Sequence, residues 1–244
     1  MEALKILKES LEMLWENPVI FLPKLVSTGM SSVLLVLIVS NFQFLKSLSS
    51  YKLLAVALIL PLIMTLIGVL ASMLVAAMVK HFDDPRIVRK SITEVVERIR
   101  QAVKTTLLLA ALAVTISVPM SLLYFYYLGG GSTFYLVLAG LLILLAVIAI
   151  SFASYFLPAT LLEHSTLTKS VKDSYSVSRD NSGLVTSLVF LSIIMLGAAF
   201  LSSGILEKLG YAGFLLGRMS STVVNTYVFV MSPKIYYSAP ESLN

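Results

Sequence analysis

A chain of 244 residues that is 58% hydrophobic and 13% charged, with a mean hydropathy of +0.93, lies far from a soluble domain, in which about a quarter of residues are charged. Without cysteine it has no disulfide framework, thiolate nucleophile or Cys-ligated zinc, and its net charge of +5 matters through placement more than size. The composition predicts an all-α polytopic membrane bundle, because continuous apolar runs of this length lack the alternation of a barrel strand.

The first residues, MEALKILKESLEMLWEN, hold four acids and no small-residue cleavage site, so a cleaved signal peptide is not expected. Leu4, Leu7, Leu11 and Leu14 line one face of an amphipathic helix. Two apolar runs follow at roughly 18–40 and 53–79, each long enough to cross a hydrocarbon core that needs about 20 helical residues. Lys24 lies a few residues inside the first and can snorkel to its end. The second carries a small-residue stripe, Gly68, Ser72 and Ala76, read as helix packing.

The 80–104 connection is basic: Lys80, Arg86, Arg89, Lys90, Arg98, Arg100 and Lys104. It contains a second amphipathic stripe, Ile92, Val95, Val96, Ile99 and Val103, with Ser91 and Glu94 spaced as a capping box. Runs at 104–127 and 134–160 are joined by Gly129-Gly130-Gly131, which permits a tight reversal. A third surface helix of about 15 residues, too short and polar to cross, carries Leu167, Val171, Tyr175 and Ser178. The last two runs are 184–206 and 211–232. Pro23, Pro61, Pro119 and Pro158 predict kinks or breaks, above all Pro61 and Pro119.

These elements group into about six spans in one membrane domain, 1–244. Its three tandem units, about 1–80, 81–163 and 164–244, each consist of an amphipathic helix and two spans. Every unit starts on the same side, so the repeats are parallel. Lys and Arg crowd the 80–104 and 161–183 connections and the two tails, against Lys46, Lys52 and Lys208 on the other side. The expected location is therefore the cytoplasmic (cell) membrane, with both termini cytoplasmic. Each surface helix then lies in the headgroup plane or packs across the cytoplasmic ends of the bundle, the alternative being a helix that docks a partner.

A shared pattern marks two of the units. Lys172-Asp173-Ser174 is followed by Asn181, and Lys8-Glu9-Ser10 by Asn17. Ser10, Asn17, Ser174 and Asn181 are read as a structural repeat motif, the asparagines capping backbone left free where a surface helix meets a span.

Phe156-Leu157-Pro158, Glu163, Ser170-Val171, Ser174 and Asn181, together with Ser10, Asn17-Pro18 and Phe21-Leu22-Pro23, resemble the membrane domain attached to some glycerophosphoryl diester phosphodiesterases and related prokaryotic multi-pass proteins of unknown function. The resemblance covers most of the chain. It implies a multi-helix membrane domain of unsettled role. It does not bring the phosphodiesterase activity, which needs a soluble barrel with His and acidic metal ligands.

Few residues suggest chemistry. His81 with Asp83 and Asp84, and His164 with Glu163, offer either a converging metal site or, for Asp83-Asp84-Pro85, an ordinary turn; no metal or cofactor is assigned. No hydrolase, P-loop, zincin or dinucleotide motif occurs. The spans hold no Asp or Glu, which disfavours a proton-coupled transporter. They hold two cations, Lys24 and Arg218. Arg218 either snorkels outward, with Glu207 as a partner, or binds an anion or lipid headgroup, and Lys24 is the second candidate for such binding. On the last span Gly213, Gly217, Ser221 and Asn225 form a close-packing stripe, with Asn225 hydrogen-bonded across it.

The sequence therefore predicts a non-enzymatic multi-pass membrane protein that interacts with lipids or organises partners. The alternative is a transporter or channel-like protein for an anionic or lipid substrate. Membrane lipids are the expected partners, with a further protein or a second copy as candidates, and no nucleic acid.

Overall fold

The computed structural model of the protein describes residues 2–40, 50–130 and 132–238. Lys46 and Gly131, both assigned above to turns on one side, lie outside the described residues. The described residues are helical throughout, with no strand. The elements are α1 (Glu2–Glu16), a 3-10 turn (Pro18–Phe21), α2 (Leu22–Ser40), α3 (Ser50–Lys80), α4 (Ile87–Glu97), α5 (Ile99–Leu128), α6 (Thr133–Ala153), α7 (Leu157–Glu163), α8 (Leu167–Asp180), α9 (Ser182–Glu207) and α10 (Gly210–Ser238).

Among the described residues five segments are long and apolar enough to cross a membrane: Pro18–Ile38, Ile59–Lys80, Ile99–Ser117, Thr133–Glu163 and Ser182–Glu207. The sixth expected segment is a helix of ample length, the 29 residues of α10, but it is too polar to join that set. Arg218, Ser220, Ser221, Thr222, Asn225 and Thr226 lower its hydropathy, and several of them face other helices instead of lipid.

The three surface helices α1, α4 and α8 lie at one end of the bundle. Lys234 on α10 pairs with Glu9 on α1 at 3.0 Å, Lys80 at the end of α3 with Glu94 on α4 at 2.8 Å, and Tyr236 of α10 donates to Asp173 on α8 at 3.0 Å. The core sits toward this charged end. Val69, Met73, Ala76, Ala77, Leu157 and Leu161 form one buried cluster, and Leu14, Ile20, Val75, Met78 and Val230 belong to another. In contrast α6 shows an almost wholly apolar exterior, including Leu141, Leu142, Leu144 and Leu145. Such a surface suits contact with lipid tails or with another apolar face.

Each surface helix uses a different face from the one its apolar stripe suggests. On α1, Leu14 is buried and Leu7 half-buried, while Leu4, Leu11 and Trp15 are exposed. On α4, Ile87, Ser91 and Val95 are buried, while Ile92 and Val96 of the stripe point outward, as do its last two members, Ile99 and Val103, which fall on α5. The capping box is absent: α4 begins at Ile87 after Arg86, so Ser91 is interior to the helix and Glu94 is engaged by Lys80 and His81 instead.

On α8 the buried face is Ser170, Ser174, Val177 and Ser178, and Tyr175 is exposed. The reason is a break in the neighbouring span. Between α6 and α7 the helix stops, with Pro158 in the first turn of α7, and backbone carbonyls there lose their intrahelical partners. A hydroxyl of α8 fills that deficit: Ser174 Oγ donates to the Ala153 carbonyl at 2.9 Å. Ser170 Oγ adds a second tie to α7, donating at 3.1 Å to the Thr160 carbonyl, which also accepts the His164 N–H. Pro61 and Pro119, by contrast, lie inside continuous helices.

Close packing between α9 and α10 follows from glycine. A β-carbon at Gly213 would lie 1.8 Å from the Leu206 carbonyl oxygen, and one at Gly217 would lie 3.0 to 3.1 Å from three Ser203 atoms. One turn on, Ser221 Oγ donates to the Ala199 carbonyl at 3.2 Å. Asn225, the last of the stripe, is exposed and has no hydrogen-bond partner among the described residues. Gly210, at φ +76°, makes the reversal that brings the two helices together.

Candidate functional site

Lys24 lies in the first turn of α2, after Pro23, and its side chain enters the bundle. Its Nζ donates to Ser72 Oγ of α3 at 2.6 Å and stands 4.2 Å from the centroid of the Phe229 ring of α10. The Ser72 hydroxyl spends its own proton on the Gly68 carbonyl at 2.8 Å. An ammonium has three N–H donors, so two remain uncommitted. No carboxylate pairs with Lys24, and the acids of the five apolar segments, Glu163 and Glu207, are the last residues of theirs. A cation at the centre of a span costs about 2.5 to 3.5 kcal/mol. The Ser72 hydroxyl and the Phe229 ring offset such a cost, but neither carries a negative charge, so the ammonium has no compensating anion.

The ammonium borders a cleft of about 380 Å³ between α2, α3, α5 and the α6–α7 junction. Two features of its wall point to a ligand. Gly68 has no atom within 4 Å of where a β-carbon would stand, so the small-residue stripe read from the sequence as helix packing lines open space at this position. Thr105 of α5 is 2% exposed and its Oγ1 has no hydrogen-bond partner, although a buried unsatisfied polar group costs about 1 to 3 kcal/mol. The cleft is thus bordered by an ammonium without a compensating anion, and a residue of its wall, Thr105, carries a buried hydroxyl without a partner. The rest of its wall is mainly apolar, including Val69, Met73, Leu109, Leu157 and Leu161. Chemically it suits an anion carried on an apolar body.

The other expected site residues are distributed. Arg218 is half-buried on α10, with its Nε buried and without a hydrogen-bond partner. Glu207, the acid suggested for it, forms no ion pair with it; Arg218 lies two turns beyond the Gly210 reversal, about 12 Å along the helix. Ser10 is fully buried but its Oγ is unpartnered. Asn17 makes no side-chain cap bond. Asn181 does not cap α9 with its side chain; its Nδ2 donates back to the Val177 carbonyl at 3.0 Å, at the end of α8.

The histidines take part in a tie between helix ends. Lys80 bridges Glu94 and Glu163 at 2.8 Å each, and His81 Nε2 contacts Glu94 at 2.8 Å. His164 Nε2 contacts Asp173 at 3.0 Å, and Gln101 Nε2 donates to the His164 carbonyl. Each histidine therefore has its own carboxylate. Among the described residues no three His, Asp or Glu side chains gather as a metal-holding group. Asp84 closes the turn before α4: it accepts the Arg86 N–H at 2.7 Å and pairs with Lys90. The Lys90 bond, followed by the Arg86 N–H, holds its carboxyl below the ordinary 3.8.

Sequence reasoning found Lys24 but missed Ser72, Thr105 and Phe229 as its companions. Their only signal was polarity in apolar runs, and the contacts join residues 48 or more positions apart. Searches against protein-family models, curated proteins and solved structures returned no match to this chain.

Proposed function

We propose that the protein is a non-enzymatic, multi-pass module of the cell membrane that binds an anionic lipid, with the headgroup held at Lys24 and the acyl chains along the apolar wall of the cleft. The observation that carries this reading is the Lys24 ammonium, without a carboxylate partner and with two uncommitted N–H donors, at the border of a mainly apolar cleft. A phosphate supplies both the missing charge and the missing acceptors in one group, whereas a neutral ligand supplies at most the second. Lys24 is six residues past Pro18, about 9 Å along the helix axis, a depth that a headgroup reaches from the nearer surface.

The excess of Lys and Arg at the end formed by α1, α4 and α8 supports an arrangement in which that end faces the cytoplasm. The exposed Leu4, Leu11 and Trp15 of α1 and Ile92 and Val96 of α4 suit helices lying in the headgroup layer, with Trp15 at the interface.

The test is native mass spectrometry of protein purified from vesicles containing equal phosphatidylglycerol and phosphatidylcholine. Wild-type protein is expected to retain phosphatidylglycerol selectively. Lys24→Met, which keeps length and apolarity but removes the charge, is expected to lose that selectivity. Equal retention of phosphatidylglycerol by Lys24→Met would overturn the assignment.

A further inference from the structure

The second intramembrane cation stands on the same seam as the first. α2 and α10 run antiparallel, fixed by Lys24 beside Phe229 and by a hydrogen bond of 2.7 Å between the hydroxyls of Thr28 and Thr222. On α2, Lys24, Thr28 and Ser32 recur every four residues and share a face; on α10 so do Arg218, Thr222 and Thr226. Extending the Thr28–Thr222 register by one turn brings Ser32 level with Arg218. Ser32 is 1% exposed and its Oγ has no partner, and the Arg218 Nε is likewise buried and unpartnered.

Lys24 and Arg218 are thus two uncompensated cations at different depths of one interhelical seam, about 12 Å apart along α2 by the eight residues from Lys24 to Ser32. Between them the lining is hydroxyl. The Thr28–Thr222 contact closes the seam midway, and the Thr222 hydroxyl also lies 2.7 Å from the Arg218 carbonyl. Outside the seam both helices are apolar and open: Val26, Met30 and Val33 on α2, and Leu215, Met219 and Val223 on α10, are exposed. A phosphate that leaves the Lys24 cleft along the seam would therefore trade the cleft wall for lipid around its acyl chains.

We infer that the α2/α10 seam is a path for transbilayer movement of an anionic lipid, with its headgroup passing between Lys24 and Arg218 through a constriction formed by Thr28 and Thr222. Two fixed cations with hydroxyls between them lower the cost of carrying a phosphate through hydrocarbon, and the absence of an acid in the seam leaves both cations available to it. This rests on the assignment of Lys24 as a headgroup site and adds a second station and a movement.

The experiment uses the cysteine-free wild-type chain in vesicles, with fluorescent phosphatidylglycerol on the inner leaflet and a membrane-impermeant quencher outside. Wild-type protein should expose the labelled lipid faster than protein-free vesicles, and faster than labelled phosphatidylcholine. Arg218→Leu should return the rate to the protein-free level, while Arg218→Lys keeps part of it, since an ammonium attracts phosphate without the paired geometry of a guanidinium. Thr28→Cys with Thr222→Cys, oxidised to a disulfide, should stop the movement, and reduction should restore it.

Movement that persists in the oxidised pair or in Arg218→Leu overturns the seam, as does failure of the two cysteines to crosslink. Release of trapped inorganic phosphate without lipid movement overturns the lipid as cargo. Selective retention of phosphatidylglycerol by a wild-type protein that moves no lipid overturns the transfer while leaving the Lys24 site standing.

Discussion

Ser174 Oγ donates to the Ala153 carbonyl across 21 positions of chain, at 2.9 Å. This bond repairs the backbone where α6 ends short of Pro158. Ser174→Ala should lower stability by about 1 to 3 kcal/mol, because the carbonyl is then left buried without a partner. Ser10 is equally buried but its hydroxyl is already unpartnered. Ser10→Ala should therefore be neutral or slightly stabilising. Thermal unfolding of both variants in detergent checks the pair, and equal losses would contradict the assignment of different roles.

Gly213 and Gly68 should respond in opposite ways to the same substitution. A methyl group at Gly213 meets the Leu206 carbonyl at 1.8 Å, whereas at Gly68 it meets nothing within 4 Å. Gly213→Ala is expected to force α9 and α10 apart and cost about 1 to 3 kcal/mol as an overpacking change. Gly68→Ala should leave the melting temperature unchanged or slightly raised, since Ala is the better helix former. It narrows the Lys24 cleft, so bound phosphatidylglycerol should fall while stability does not.

The Glu9–Lys234 pair predicts an acid limb in stability. The bond from Lys234 at 3.0 Å, and its charge, hold the Glu9 carboxyl below the ordinary 4.5. A carboxyl lowered in the folded state contributes stability that is present above its unfolded value and lost as pH falls through its folded value. Melting temperature should therefore drop as pH is lowered below about 4.5, and Glu9→Gln should make that drop shallower. The pair is partly exposed, so salt should weaken the difference.

Topology is tested with single cysteines at Ser132 and Ser165, both exposed and at opposite ends of the α6–α7 segment. An impermeant thiol reagent should label them from opposite sides of the membrane, Ser165→Cys from the side where α1, α4 and α8 lie. Labelling of both from one side would contradict the spanning arrangement.

The long helices were legible in the sequence because runs of apolar residues of that length have few other ways to satisfy their backbone. The glycine stripe of α10 was legible for a similar reason: small residues at four-residue spacing make a flat face whatever the partner. Which face each surface helix would bury was not legible. On α8 the buried side is mostly serine, and Ser174 there serves a carbonyl freed at a break 21 positions away, a need of which hydropathy carries no record. The Ser91–Glu94 spacing also fits a cap, but α4 begins four residues earlier and Glu94 is drawn to Lys80 and His81 from another helix. Lys24 and Arg218 could be picked out by their charge in apolar runs. The lack of an acid within the spans was legible too, but that Glu207 stays away from Arg218, and that the two cations share the α2/α10 seam, was decided only when those helices packed antiparallel through Thr28 and Thr222, because a cation's compensation depends on neighbours in space and not on neighbours in sequence.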